Sequence, residues 1–220
     1  MTVRSDHLVI AVDGPAASGK GTIARALARH YGLPHLDTGK LYRAVGLSVR
    51  LRGQDPTDPA VAAQHAEKLD PLLLDEPDLM SGENALSASI VSAHPGVRAA
   101  LLNRQHDFAR QARGAVLDGR DIGTVICPDA AAKLFVTARP EVRATRRHIE
   151  LSNSGDARQF AEVLADIAAR DERDSNRDAA PLIMAADALL LDTSDLAIDA
   201  AVRRAIALVE SKISAVRERD

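Results

Sequence analysis

The residues with the most evident chemistry are Gly14, Pro15, Ala16, Ala17, Ser18, Gly19, Lys20, Gly21 and Thr22, directly behind the apolar run Leu8–Val12. A short β-type run that stops at glycine, then Gly-Lys, then helix-forming residues is the order of a phosphate-binding loop. Glycines let backbone N–H groups turn toward an oligophosphate. The helix that follows points its positive end at the same anion. Lys20 adds a mobile full charge for β and γ phosphates, and the Thr22 hydroxyl can reach a Mg2+ ion. The general pattern places Ser or Thr directly after the lysine, whereas here Gly21 intervenes.

Two further stretches bring charge to defined places. In Gly114–Asp121 a strand runs into Asp118, and Gly119 breaks it where a carboxylate and the Arg120 guanidinium emerge together. Ligands of α/β sheets sit at the carboxyl ends of strands, and Asp118 there can hold a water of a Mg2+ shell. In the segment Arg170-Asp171-Glu172-Arg173-Asp174-Ser175-Asn176-Arg177, the residues Arg170, Asp174 and Arg177 fall on one helical face. Upstream lies a helix over 140–151 with Arg143, Arg146 and Arg147, broken by Ser152-Asn153-Ser154-Gly155 before a second helix from about Asp156 to Asp174. A helical hairpin rich in arginine beside a phosphate loop has the form of a lid.

The elements that must position these residues follow from the pattern. Strands are expected at His7–Asp13, Leu33–Asp37, Gly114–Asp118, Lys133–Thr137 and Ala188–Leu191. Helices are expected at Thr22–Tyr31 with Gly32 as its stop, from Thr38 with Arg43 about one turn inside, over Pro59–Leu69, Val97–Arg113 and Ile198–Val216. Pro71–Ser92 shows no sustained period and reads as a compact excursion. Strands alternating with helices imply an α/β fold: a five-stranded, mostly parallel sheet with helices on both faces.

The chain has 220 residues, 46% hydrophobic and 27% charged, which suits one ordinary globular domain. No apolar run is long enough to span a bilayer, and the N-terminus lacks the order of a signal peptide. A single cysteine, Cys127, excludes an internal disulfide and points to a cytoplasmic setting, where it reads as a small buried hydrophobe. Net charge is −3 and aromatics are 2%, so neither a basic field nor a stacking platform for a nucleic-acid polymer exists. Arginine outnumbers lysine several-fold, and its fork suits bidentate phosphate and carboxylate contacts.

Taken together, Asp13-Gly14-Pro15 with Gly19-Lys20-Gly21-Thr22, His35-Leu36-Asp37-Thr38-Gly39 with Leu41-Tyr42-Arg43, Leu117–Thr124, and Arg170–Arg177 resemble the bacterial cytidylate kinases, in the same order along nearly the whole chain. The Gly-Lys-Gly-Thr ending is similar to that of nucleoside-monophosphate kinases generally. The resemblance implies ATP- and Mg2+-dependent transfer of a phosphoryl group to CMP or dCMP, by a monomer that acts on small molecules and binds neither nucleic acid nor membrane. It implies one P-loop kinase domain over 1–220, a short nucleotide-binding insertion over 58–94 and a helical lid over 140–177.

The resemblance also implies residue roles. Arg43, Arg120 and Arg177 would contact the acceptor phosphate, with Thr38 at the same helix start. Ser89, Arg98 and Asp121 would read cytosine, whose exocyclic amine and ring acceptors suit a carboxylate with a guanidinium or hydroxyl. Arg170 and Asp174 would contact the sugar, and Arg146 or Arg147 would cover the transferring group. Two features depart from the family's pattern. The insertion is short for the small antiparallel sheet it usually holds, and Lys40 stands where a small or apolar residue is expected. Phosphoryl transfer would then proceed in line, by positioning and cationic stabilisation with no dedicated base.

Overall fold

The structure, a computed structural model, describes residues 7–153 and 155–217. Strands β1 (Leu8–Asp13), β2 (His35–Asp37), β3 (Gly114–Gly119), β4 (Ala132–Thr137) and β5 (Leu189–Asp192) form one five-stranded sheet in the order β2-β3-β1-β4-β5. Every pairing is parallel. Each return therefore needs a crossover, and helices supply it. They are α1 (Lys20–Tyr31), α2 (Thr38–Leu51), α3 (Pro59–Glu67), α4 (Gly82–Val91), α5 (Pro95–Ala109), α6 (Pro140–Asn153), α7 (Phe160–Asn176) and α8 (Ile198–Arg217).

Strand β1 shows why the sheet is covered on both sides. Ile10 and Val12 pack with Ile23 and Leu27 of α1, Leu134 and Val136 of β4, and Ala205 and Val209 of α8. Ala11, between them, turns to the other face with Ala115 and Leu117 of β3 and Ala109 of α5. Register brings Val12 opposite Asp118, Asp13 opposite Gly119, and Asp37 opposite Asp118. Three carboxylates, those of Asp13, Asp37 and Asp118, thus gather at the carboxyl edge of the sheet.

Helices α2 to α5 build a second core around Leu41, Val45, Ala62, Val91 and Leu101. The aperiodic stretch 71–92 resolves into two 3-10 turns, Pro71–Asp75 and Pro77–Met80, and the helix α4. A Cβ on Gly46 of α2 would stand 3.0 Å from the Ala88 amide nitrogen, so α2 and α4 meet backbone to backbone. Small residues suffice at such a contact, which leaves little periodicity to read. Helix α5 ends at Ala109, four residues before the expected end. The chain must turn there so that Arg113 can accept from the Leu8 amide and Gly114 can enter β3 at φ 89°. Helix α7 begins at Phe160, because Gln159 and Glu162 form a capping box at that point.

Candidate active site

Behind β1 the chain turns through Gly14 (φ 151°), Ala17 (φ 56°) and Gly19 (φ 89°). A Cβ on Gly14 would lie 2.0 Å from the Val136 carbonyl oxygen, so only glycine lets the loop leave the sheet here. Ala17 holds a left-handed conformation that alanine adopts at a cost on the order of 1 kcal/mol, backbone strain of the kind found at ligand clamps. The amides of Thr22 and Ile23 donate to the Gly19 carbonyl and start α1, with Lys20 as its first residue. The Asp13 carboxylate accepts from the amides of Ile122 (2.8 Å) and Gly123 (2.7 Å), which fastens the loop to the turn carrying Arg120 and Asp121. Burial raises the Asp13 pKa to about 6, against the pull of those two bonds. The buried Ser18 hydroxyl has no hydrogen-bond partner among the described residues.

Above the loop opens a cleft of about 930 Å³, lined by Lys20, Arg43, Arg120, Arg147 and Arg170 among others. These cations come from α1, α2, the turn after β3, α6 and α7. Burial lowers Lys20 to about 8, and Arg120 adds repulsion. Burial lowers Arg43 to about 10, with Arg147 next in effect, and Arg170 to about 9, with Arg120 next. Arg43 is aimed by its donation to the carbonyl oxygens of Leu79 (3.1 Å) and Ser81 (3.5 Å), so the 3-10 turns place a site residue. Positive groups converging on one cleft, with Lys20, Arg43 and Arg170 depressed by burial, make a site for an anion.

Behind the cleft wall lies a chain of ion pairs. Arg120 donates through Nε to Asp174 at 2.8 Å, and Arg170 stands 3.8 Å from the same carboxylate. Burial alone would lower the Arg120 pKa, but Asp174 outweighs it and the pKa rises. Burial alone would raise the Asp174 pKa, but Arg120 and Arg170 bring it down. Asp121 is held by Arg98 and, at 3.3 Å, by Arg177. Arg98 also sits over the Tyr42 ring at 5.8 Å. Burial, and then Arg98, lower the Arg177 pKa. Ser89 accepts from Nε of Arg173 at 3.1 Å, and the Thr38 hydroxyl donates to the Asp118 carbonyl at 2.8 Å.

Several sequence-predicted residues sort differently from one another. Arg147 faces the cleft, whereas Arg146 donates to the carbonyls of Ser18 (3.3 Å) and Thr193 (2.8 Å) and so braces the loop. Ser89, Arg98, Asp121, Asp174 and Arg177 do not line the cleft: Ser89 touches it through Arg173 and Asp174 through Arg120 and Arg170, whereas Arg98, Asp121 and Arg177 pair with one another behind its wall. Lys40 is exposed and lines a second cavity of about 260 Å³ that shares Asp37 with the cleft; Lys40 itself does not line the cleft. Cys127 is buried, and burial pushes its thiol up to about 11, as befits a packing residue.

Two residues that the sequence placed in motifs without a role acquire one in the structure. Arg143, 3% exposed, donates to the Ala16 carbonyl at 3.2 Å and pairs with Asp171, which ties the loop after β1 to both α6 and α7. Its spacing from Arg146 was visible, but its burial was not. His35 donates through Nε2 to Asp118 Oδ1 at 2.7 Å. Nothing in its own segment announces that partner 83 residues away.

A divalent cation fits the donor set. Asp118 is 2% exposed at the end of β3, and its Oδ2 would lie 3.7 Å from a Cβ on Gly21. The Thr22 hydroxyl, one residue on, accepts from Arg25 at 3.3 Å. Among the described residues no group of three or more His, Cys, Asp or Glu side chains could enclose a metal. A Mg2+ ion held by Asp118 and Thr22 would take waters and phosphate oxygens as most of its ligands.

A glycine-cornered loop under a cationic cleft, on a parallel sheet of this order, defines a phosphotransferase of the P-loop kinase class. A family model described as cytidylate kinase matches residues 10–211. A cytidylate kinase of Xanthobacter autotrophicus is 61% identical over 205 residues, covering 93% of this chain and 98% of its own. One from Bradyrhizobium sp. is 56% identical over 212 residues, covering 96% and 100%. The chain belongs to the cytidylate kinase family and is a nucleoside-monophosphate kinase. Among solved structures, a gluconokinase from Sinorhizobium meliloti matches at TM-score 0.55 and 14% identity, covering 99% of each chain. A shikimate kinase from Bacteroides thetaiotaomicron matches at TM-score 0.51 and 16% identity, covering 92% of this chain and 98% of its own. These two share the fold.

Proposed function

We propose that the cleft carries out in-line transfer of the γ-phosphoryl group of ATP to the phosphate of CMP or dCMP, giving ADP and CDP or dCDP. The observation that carries this reading is the convergence of Lys20, Arg43, Arg120, Arg147 and Arg170 on one cleft, with burial and mutual repulsion depressing Lys20, Arg43 and Arg170. The backbone from Gly14 to Thr22, with Lys20, cradles the donor phosphates. Arg43, Arg120 and Arg177 hold the acceptor phosphate, and Thr38 supports the helix start from which Arg43 projects. Arg147 covers the transferring group, while Arg146 keeps the loop in shape for it.

Ser89, Arg98 and Asp121 read the base, and Arg170 with Asp174 meets the sugar. Thr22, and Asp118 through a water, would hold Mg2+, which when bound offsets charge on the phosphate oxygens. The transition state spreads charge over those oxygens, so fixed guanidinium groups supply most of the acceleration and no general base is needed. Residues 58–94 act as the nucleotide-binding insertion and 140–177 as the lid within one kinase domain, whose closure keeps water from the donor. The working unit is a monomer in a cytoplasmic setting. Initial rates with CMP, dCMP, UMP, AMP and shikimate side by side test the reading. Fast ATP turnover only with cytidine monophosphates supports it, and equal or better rates with another acceptor overturn it.

A further inference from the structure

We infer that His35 is a positioning residue: it turns the Asp118 carboxylate so that Oδ2 faces the first turn of α1, where a divalent cation would meet Thr22. The inference rests on the role given above to Asp118. It begins with strand register. His35 of β2 pairs with Val116 of β3, and Asp37 pairs with Asp118. Residues two apart in a strand share a face, so the His35 side chain stands on the same side of the sheet as Asp118. From there its Nε2 donates to Asp118 Oδ1 at 2.7 Å, with the two side chains 17% and 3% exposed.

That bond decides which oxygen is left for other work. Asp118 Oδ2 lies toward Gly21, 3.7 Å from where a Cβ would be, beside the turn that carries Thr22. Lys20 and Arg120 both feel the Asp118 charge. Without an anchor on Oδ1, the carboxylate is free to swing toward either cation and to present the wrong edge to a metal-bound water. Partners that orient a carboxylate in this way are worth about 10–100-fold in metal affinity. One flank of the imidazole opens on the cavity of about 260 Å³, so a substituted side chain has room to settle without disturbing the core.

The test is calorimetric titration of ATP into wild type, His35→Phe, His35→Gln, His35→Asn and Asp118→Asn, in EDTA and over a Mg2+ series. His35→Phe should need about tenfold more Mg2+ or beyond to reach the same ATP affinity, while its ATP affinity in EDTA stays at the wild-type value. Glutamine, whose amide nitrogen reaches the place of Nε2, should recover most of the loss, and the shorter asparagine should not. Asp118→Asn should shift the Mg2+ dependence at least as far. If Asp118→Asn shifts it and His35→Phe does not, the role of Asp118 stands and ours for His35 falls. If Asp118→Asn leaves it unchanged, the role of Asp118 falls and takes the inference with it. A His35→Phe protein that loses ATP affinity equally in EDTA would show a packing role only. Should the phenylalanine variant fail to fold, equal Mg2+ dependence of the Gln and Asn variants is the overturning result.

Discussion

Arg120 donates to Asp174 at 2.8 Å, which joins the turn behind β3 to helix α7. The same carboxylate offsets Arg170 at 3.8 Å, so one acid holds two cleft guanidiniums in place when no phosphate is there to do so. Asp174 is 3% exposed, and its lowered pKa means that it stabilises the fold at neutral pH and loses that contribution as pH falls through the carboxylate range. Asp174→Asn should cost about 3 kcal/mol in urea unfolding at pH 7, the lower end for removing one partner of a buried pair. Adding inorganic phosphate should return part of the loss, because an anion then takes over the two cations. No loss of stability would show that the pair carries little.

Lys20 presents the opposite balance. Its pKa is depressed to about 8, so folding works against its charge. For a base the sign runs so that this penalty is absent above the ordinary lysine pKa and grows as pH falls through 8. Lys20→Met should therefore reduce turnover by orders of magnitude while making the ligand-free protein more stable, by at most about 3 kcal/mol before allowance for the part of Lys20 open to the cleft. Binding a triphosphate should restore the charge. At pH 8.5–9, ATP binding should take up protons, read from titration heats in buffers of different ionisation enthalpy, and at pH 6.5 much less uptake should remain.

How much of this was legible in the chain depends on distance along it. The loop, with its strand and helix, is contained in Leu8–Tyr31, and Arg170, Asp174 and Arg177 share one face by local spacing alone. The pairs that complete the site are long-range: Asp13 with the amides of Ile122 and Gly123, Arg143 with Ala16 and Asp171, His35 with Asp118. A local pattern does not encode them. Helix α4 stayed hidden for another reason: its close approach to Gly46 asks for small residues where a periodic apolar stripe would otherwise reveal it. That the aperiodic stretch 71–92 folds into two 3-10 turns and a helix was not legible for the same reason.

Asp13 offers a pH test inside the core. Its pKa is raised to about 6, so the native state favours the protonated form. The contribution is fully present below the ordinary aspartate range and is lost as pH rises through 6. Relative to Asp13→Asn, wild type should gain stability as pH is lowered from 7 to 4, by up to about 3 kcal/mol. Over the same range the KM for CMP of wild type should rise, because a protonated carboxyl can no longer accept from both amides that place Arg120 and Asp121. A flat difference in stability across this range would put the titrating group elsewhere.

Asp121 separates acceptor from donor. Its carboxylate is taken up by Arg98 and Arg177, and none of the three lines the cleft above the loop. Asp121→Ala should raise the KM for CMP far more than that for ATP. Equal rises in both would remove it from the base site and make it a general support of the cleft.

The two glycines that corner the loop should respond differently to one added methyl. At Gly14 the new Cβ meets the Val136 carbonyl oxygen at 2.0 Å, a backbone atom that cannot move without parting β4 from β1. At Gly19 the nearest atom is the Arg146 guanidinium at 3.7 Å, ordinary contact with the end of a flexible side chain. There the cost is the left-handed backbone alone, about 1 kcal/mol. Gly14→Ala should lose several times that in stability and bind ATP very weakly, whereas Gly19→Ala should stay folded, with a modest loss of ATP affinity. Thermal melts with and without ATP distinguish the two, and equal behaviour would mean that the loop yields where the sheet contact says it is rigid.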